Sequence, residues 1–287
     1  MSSLQIFVFL LAVADLVLGG LISNGFIATV TIREWTKHRR LASSEQLFLS
    51  LALSNIFSTI LLFPNGWGMY VESFLLLVNI FPLTFFVSVT RFWFTAWLCV
   101  FYCIKIVNST HALFLWCKMR ISWLIPRLLI GSTTLSFFVY FLSIMTLPTD
   151  VQGNTTGNAT MGLRFLFLII GSSSPLIVVL FCSIMVITSL SRHVCRMAST
   201  TSSFQDLQTE AHIKAVRIVF FFLFLYVSNF VAHTLILVED VVTREMIRAL
   251  VVMIMYSPAQ GAVLIFTNPK LRQALNLLLQ RKNSLES

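Results

Sequence analysis

The sequence predicts an all-α integral membrane protein: a bundle of seven transmembrane helices, N-terminus outside and C-terminus cytosolic, with a short amphipathic helix at its end. Three observations lead there. The 287 residues are 57% hydrophobic and only 11% charged, where a soluble domain carries about 25% charged residues. The apolar residues fall in long blocks: 4–32 holds one charge, Asp15, while 165–190 and 218–238 hold none. The Lys and Arg residues are shared very unevenly among the segments between blocks.

A hydrocarbon core about 30 Å thick takes roughly 20 helical residues to cross. Seven spans satisfy that length, over 5–32, 46–70, 80–106, 122–147, 163–190, 215–238 and 245–267, forming a single seven-transmembrane domain over 1–287. The first block is read as a retained helix rather than a signal peptide. No Lys or Arg precedes Arg33, and the apolar run exceeds the roughly 7–15 residues of a signal core. Period-2 strands are not visible, and in lipid the backbone must pair within each segment. Pro64, Pro82, Pro126, Pro175 and Pro258 fall inside spans, where neighbouring helices tolerate the freed backbone groups.

Orientation follows from the basic residues. Arg33, Lys37, Arg39 and Arg40, then Lys105, Lys118, Arg120 and Arg127, then Arg192, Arg196, Lys214 and Arg217, then Lys270, Arg272, Arg281 and Lys282 make 16 of the 20. The alternate segments hold Arg164, Arg244 and Arg248, and Arg91 lies mid-span. The first set belongs in the cytosol, which puts the termini on opposite sides and requires an odd number of spans. The segment around 148–162 then faces outward, and it carries two glycosylation acceptors, Asn154 and Asn158, each followed two residues later by Thr. A third acceptor, Asn108, falls on the cytosolic side and should stay unmodified. In 269–280, Leu271, Leu275, Leu278 and Leu279 gather on one side, as in a helix lying on the membrane surface.

The formal charge of +9 would suggest nucleic acid in a soluble chain; here it reads as topology, and no nucleic-acid partner is expected. Cys99, Cys103, Cys117, Cys182 and Cys195 lack metal-site spacing, so neither a disulfide nor a metal is expected. No His/Asp metal cluster or Ser/His pair at helical spacing points to an intramembrane enzyme; catalytic residues and cofactors are expected to be none. A transporter would show repeated halves and paired buried charges, and no repeat is visible.

Residue patterns narrow the class. Phe101-Tyr102-Cys103-Ile104-Lys105-Ile106-Val107-Asn108, followed by Phe114-Leu115-Trp116 and Lys118, resembles the end of the third helix of bitter taste receptors (type 2 taste receptors). Ile187-Thr188-Ser189-Leu190 with His193 and Met197 is similar to the end of their fifth helix. Asp206 and the run Thr209 to Ala215 are similar to the entry of their sixth, and Phe222-Leu223-Phe224-Leu225-Tyr226 to the helix that follows. Ser257 with Asn268-Pro269-Lys270-Leu271-Arg272 resembles the end of the seventh, and Asn24-Gly25-Phe26-Ile27 the first. The matches run in order over nearly the whole chain. Departures occur at Asn55, where the family usually carries Arg after Ser54, and at Tyr256, where it usually carries His before Ser257. Vomeronasal type 1 receptors are the runner-up; the fifth-to-sixth helix block favours the bitter family.

The resemblance implies a plasma-membrane G-protein-coupled receptor that takes bitter-type small molecules into an outward-facing pocket and activates a gustducin-like heterotrimeric G protein. Thr84 and Ser88 stand where the family often lines its pocket. With Val87 they share a face by i, i+3, i+4 spacing, and Asn229 and His233 share one by i, i+4. These five, with Met246 and Ala249, are the ligand candidates; helix packing is the alternative reading of the small residues. Asn24, Asn55 and Ser257 are expected to form a polar cluster deep in the bundle that switches between states. Lys105, His193, Arg196, His212 and Lys214 are candidates for the G-protein surface, or serve only to fix topology.

Arg91 is the least ordinary residue. It lies 14 residues before Lys105, hence about 21 Å from the cytosolic end of its helix, where Arg costs roughly 2.5–3.5 kcal/mol on insertion scales. It belongs with the ligand candidates as an anchor for an anionic or strongly hydrogen-bonding group. Alternatively it pairs with Asp15 at similar depth, replaces the charge missing at Asn55, or is solvated by water.

Overall fold

The computed structural model describes the backbone of residues 3–71, 74–107, 111–151, 168–197, 205–238 and 244–286, and most side chains within 9–63, 83–141, 171–192, 217–236 and 248–284. The elements are α1 (Ser3–His38), α2 (Ser43–Val71), α3 (Phe74–Ile106), α4 (Ala112–Val151), a π turn (Leu168–Ser173) running into α5 (Ser174–Met197), α6 (Gln205–Val238), α7 (Arg244–Thr267) and α8 (Pro269–Glu286). Among the described residues all regular structure is helical, and seven helices are long and apolar enough to cross a membrane. The chain is a multi-pass membrane protein. The sequons at Asn108, Asn154 and Asn158 lie outside the described residues, as do the side chains of His193, Arg196, His212, Lys214 and Met246.

Helix ends follow local chemistry. α1 stops where Arg39 takes the left-handed conformation (φ 55°), and its amide still bonds the Trp35 carbonyl at 2.7 Å, an αL C-cap closed by a non-glycine residue. α2 opens with Glu45 reaching back to the Ala42 amide at 2.9 Å, which satisfies an otherwise orphan donor. Asn268 separates α7 from α8: its Oδ1 accepts from the Lys270 amide at 2.9 Å, and Pro269 fills the first helical position, where a missing N–H costs nothing. Within the spans, several hydroxyls are satisfied locally. Thr90, Thr95, Ser132, Ser136 and Ser183 each donate to the carbonyl four residues back, so polar residues enter apolar helices without an unpaired donor.

Large apolar side chains point outward, among them Ile22, Phe57, Ile130, Phe138, Ile177, Phe181 and Phe224. In water such a surface would aggregate; against acyl chains it costs nothing. α8 is two-faced: Leu271 is buried against the protein, while Leu277, Leu278 and Leu279 are exposed.

The chain divides into two compact units. The first comprises 1–41, 48–84 and 231–287. In it α1 and α7 approach closely through glycines: a Cβ on Gly20 would stand 3.0 Å from Ser257 Oγ, and one on Gly261 only 2.6 Å from Ser23 Oγ. Leu62, Ala232, Ile236, Ala249, Leu250, Met253 and Ile254 form its apolar core. The second unit comprises 42–47 and 85–230. Phe92 and Ala96 of α3 pack there on Val179 of α5 and Tyr226 of α6, and Cys103 and Val107 pack on Cys182, Val186 and Leu190. The Tyr226 hydroxyl donates to the Ser172 carbonyl at 3.3 Å, within the π turn, where irregular helix pairing leaves carbonyls to be satisfied from outside.

Candidate functional site

Two polar clusters stand out against the apolar background. In the first unit α1, α2 and α7 meet at Asn24, Asn55 and Ser257, all buried. Asn55 Nδ2 donates to Asn24 Oδ1 at 3.0 Å and to Gln260 Oε1 at 2.8 Å. Asn24 Nδ2 donates to the Gly20 carbonyl at 2.9 Å and to the Ser257 carbonyl at 3.1 Å. The Thr59 and Ser257 hydroxyls are 2.9 Å apart, and Gln260 Nε2 donates to the Tyr256 hydroxyl at 2.9 Å. Every member is neutral, so the network carries no Born penalty for a buried charge, and its bonds are strengthened by the low local dielectric. Asn55 Oδ1 has no donor among the described residues.

Gln260 and Thr59 were not singled out from sequence, and Tyr256 only as a departure from the family pattern. A signal existed: Tyr256, Ser257 and Gln260 fall at i, i+1 and i+4, and Thr59 is one turn beyond Asn55. What the sequence lacked was the rotation of α7 that aims this polar edge at α1.

In the second unit the cluster is built on Arg91, which is 0% exposed. Its Nη2 donates to Asn229 Oδ1 of α6 at 3.4 Å. Asn229 is 1% exposed and Ser88 is 0% exposed; Asn229 Nδ2 and Ser88 Oγ have no hydrogen-bond partner among the described residues. Asp15, considered above as an ion-pair partner, is exposed on α1, so its carboxylate is not the buried acid that pairing would require. The depth along α1 was legible; the face was not. Phe92 tilts against Tyr226 with ring centroids 5.0 Å apart, and this aromatic contact holds α3 to α6 one residue beyond Arg91.

The remaining ligand candidates are distributed as follows. Thr84 and Val87 are buried on α3, and His233 is buried on α6. Ala249 is part of the apolar core with Leu62 and Ala232. Of the cytosolic candidates, Lys105 is exposed and its Nζ lies 5.4 Å from the Phe101 ring centroid. His193 and Arg196 stand on the last turns of α5, and His212 and Lys214 on the first turns of α6.

The profile of the Taste receptor protein (TAS2R) family matches residues 1–283. The chain belongs to the type 2 taste receptor family. A chicken (Gallus gallus) protein named taste receptor type 2 member 40 is 34% identical, with 99% of this chain and 98% of the relative covered. Taste receptor type 2 member 4 of Pongo pygmaeus is 31% identical over 96% and 98%, and member 39 of Macaca mulatta 31% identical over 98% and 89%. These type 2 taste receptors are G-protein-coupled, multi-pass proteins of the plasma membrane and not a family of enzymes. The vomeronasal and transporter readings give way to this one. Within the type 2 receptor framework, Asn24 and Asn55 bring α1 and α2 together at Ser257, and Arg91 joins α3 to α6.

Proposed function

We propose that this type 2 taste receptor is a chemosensory receptor for bitter-type small molecules and that it activates a gustducin-like heterotrimeric G protein. The family match over residues 1–283 carries the reading. Agonist approaches from the outside, where the N-terminus lies, and the candidates for its contacts are Thr84, Val87, Ser88, Arg91, Asn229, His233, Met246 and Ala249. A ligand shifts the helices only as far as it prefers one arrangement over another, and a coupling of about 1–3 kcal/mol is typical of such systems. The neutral Asn24–Asn55–Ser257 network suits a switch. Exchanging one neutral hydrogen-bond partner for another costs far less than moving a buried charge. At the cytosolic side Lys105, His193, Arg196, His212 and Lys214 face the G protein, and Asn154 or Asn158 carries an N-glycan outside.

Expression with a promiscuous G protein, followed by a calcium-release screen against a panel of bitter compounds, tests the proposal. At least one compound should give a saturable response absent from mock cells. Silence across the panel, with the protein demonstrated at the cell surface, would contradict it.

A further inference from the structure

The end of α4 read above as cytosolic carries aromatic and basic residues in one line. Trp116, Arg120, Trp123 and Arg127 follow each other at intervals of four, three and four residues, which stacks them along a single helix face. All four are exposed. Each guanidinium lies over the indole one turn before it. The Arg120 Cζ is 5.7 Å from the Trp116 ring centroid, and the Arg127 Cζ is 3.5 Å from that of Trp123. Arg127 also donates from Nη1 to the Trp123 carbonyl at 2.8 Å. The same face continues with exposed Ile130 and Phe137, while Ile125, Leu129, Ser132 and Ser136 occupy the opposite, buried side. The stripe therefore faces away from the protein core, towards the lipid.

From Leu128 to Leu147 α4 runs for 20 residues without a charge, about 30 Å, the thickness of the hydrocarbon core. Arg127 thus stands at the boundary of that core, and Trp123 in the interfacial layer that indoles favour. Arg120 lies about 10 Å beyond Arg127 along the axis. α4 holds no Asp or Glu before Asp150, so the stripe itself is purely cationic, and the cytosolic leaflet is the anionic one. Stacking engages the flat face of a guanidinium and leaves N–H donors at its edge for a phosphate, which the fork takes bidentately.

We infer that Trp116, Arg120, Trp123 and Arg127 form a binding site for an inositol phospholipid. The phosphodiester meets Arg127 at the hydrocarbon boundary, and ring phosphates that project from the membrane meet Arg120. A headgroup with one phosphate, such as that of phosphatidylserine, spans only one of the two arginines.

The full-length protein, purified in mild detergent without agonist or G protein, is titrated with phosphatidylinositol bisphosphate or phosphatidylserine, and bound lipid is counted by native mass spectrometry. One bisphosphate lipid should be retained with an apparent affinity at least about tenfold better than phosphatidylserine. Arg120→Gln and Arg127→Gln should each weaken that retention about fivefold. Lys118→Gln removes the same charge from the same stretch, but roughly 180° around the helix from Arg127, and should leave retention unchanged. Trp123→Leu alters no charge yet should weaken it several-fold by removing the platform under Arg127. All four replaced residues are exposed, so the variants should unfold at the wild-type temperature. Equal retention of the two lipids overturns the inference, as does an effect of Lys118→Gln as large as that of Arg127→Gln, because the lipid would then follow net charge and not the stripe. Retention untouched by both arginine variants overturns it as well.

Discussion

Asn24 connects to Gly20 of its own helix, to Asn55 and to Ser257. Asn24→Ala removes an acceptor from Asn55 and a donor from the Ser257 carbonyl, both buried, and should cost about 1–2 kcal/mol, within the range for such losses in water and in membranes. Thermal unfolding of purified protein should show the lowered midpoint; an unchanged midpoint would mean that water replaces the lost bonds. Gly261 makes a sharper case. A methyl there would lie 2.6 Å from Ser23 Oγ and 3.0 Å from Ser23 Cβ, so Gly261→Ala should destabilise by about 1–3 kcal/mol as overpacking does. Gly25→Ala, with nothing within 4 Å of its Cβ, should be nearly silent. At this scale the sequence was informative about type and poor about phase. It marked Asn24, Asn55 and Ser257 through matched positions, yet it could not show that Gln260 completes them or that Asp15 faces away, because one helical rotation of about 100° moves a residue from core to lipid.

The elements were legible where composition changes abruptly and less so at their ends. Apolar blocks placed seven helices, but α4 runs for 40 residues and α2 begins at Ser43. Helices continue past the hydrocarbon boundary because their hydrogen bonds are internal, whereas the apolar pattern stops at that boundary. The π turn at Leu168–Ser173 left no mark in the sequence, since its cause is tertiary. Gly171 lets it approach α3 so closely that an added Cβ would meet Val89 Cγ2 at 2.9 Å. Val89 is stiff about χ1 in a helix. Gly171→Ala should therefore lower stability and surface expression, and Val89→Ala should restore much of the loss in the double variant. Losses that simply add would place the strain elsewhere. Lys214→Glu and His212→Ala, on the first turns of α6, should reduce signalling at unchanged surface expression; full signalling by both would return these residues to a purely topological role.

For the whole molecule, the charge asymmetry predicts a glycan on Asn154 or Asn158. Asn154→Gln with Asn158→Gln should abolish the glycosidase-sensitive mobility shift; a shift that persists there and vanishes with Asn108→Gln would invert the topology. Seven apolar helices and a family match over residues 1–283 place this chain in the type 2 taste receptor family, and the proposed function requires an outside small molecule to change what the cytosolic face does. Agonist-dependent nucleotide exchange measures that without cellular intermediaries. Receptor in nanodiscs, purified gustducin-like heterotrimer and a hit from the bitter panel should give GTP uptake by the α subunit that rises saturably with agonist and disappears without receptor. Exchange that is the same with and without agonist, from protein that is folded and binds the compound, would contradict the account.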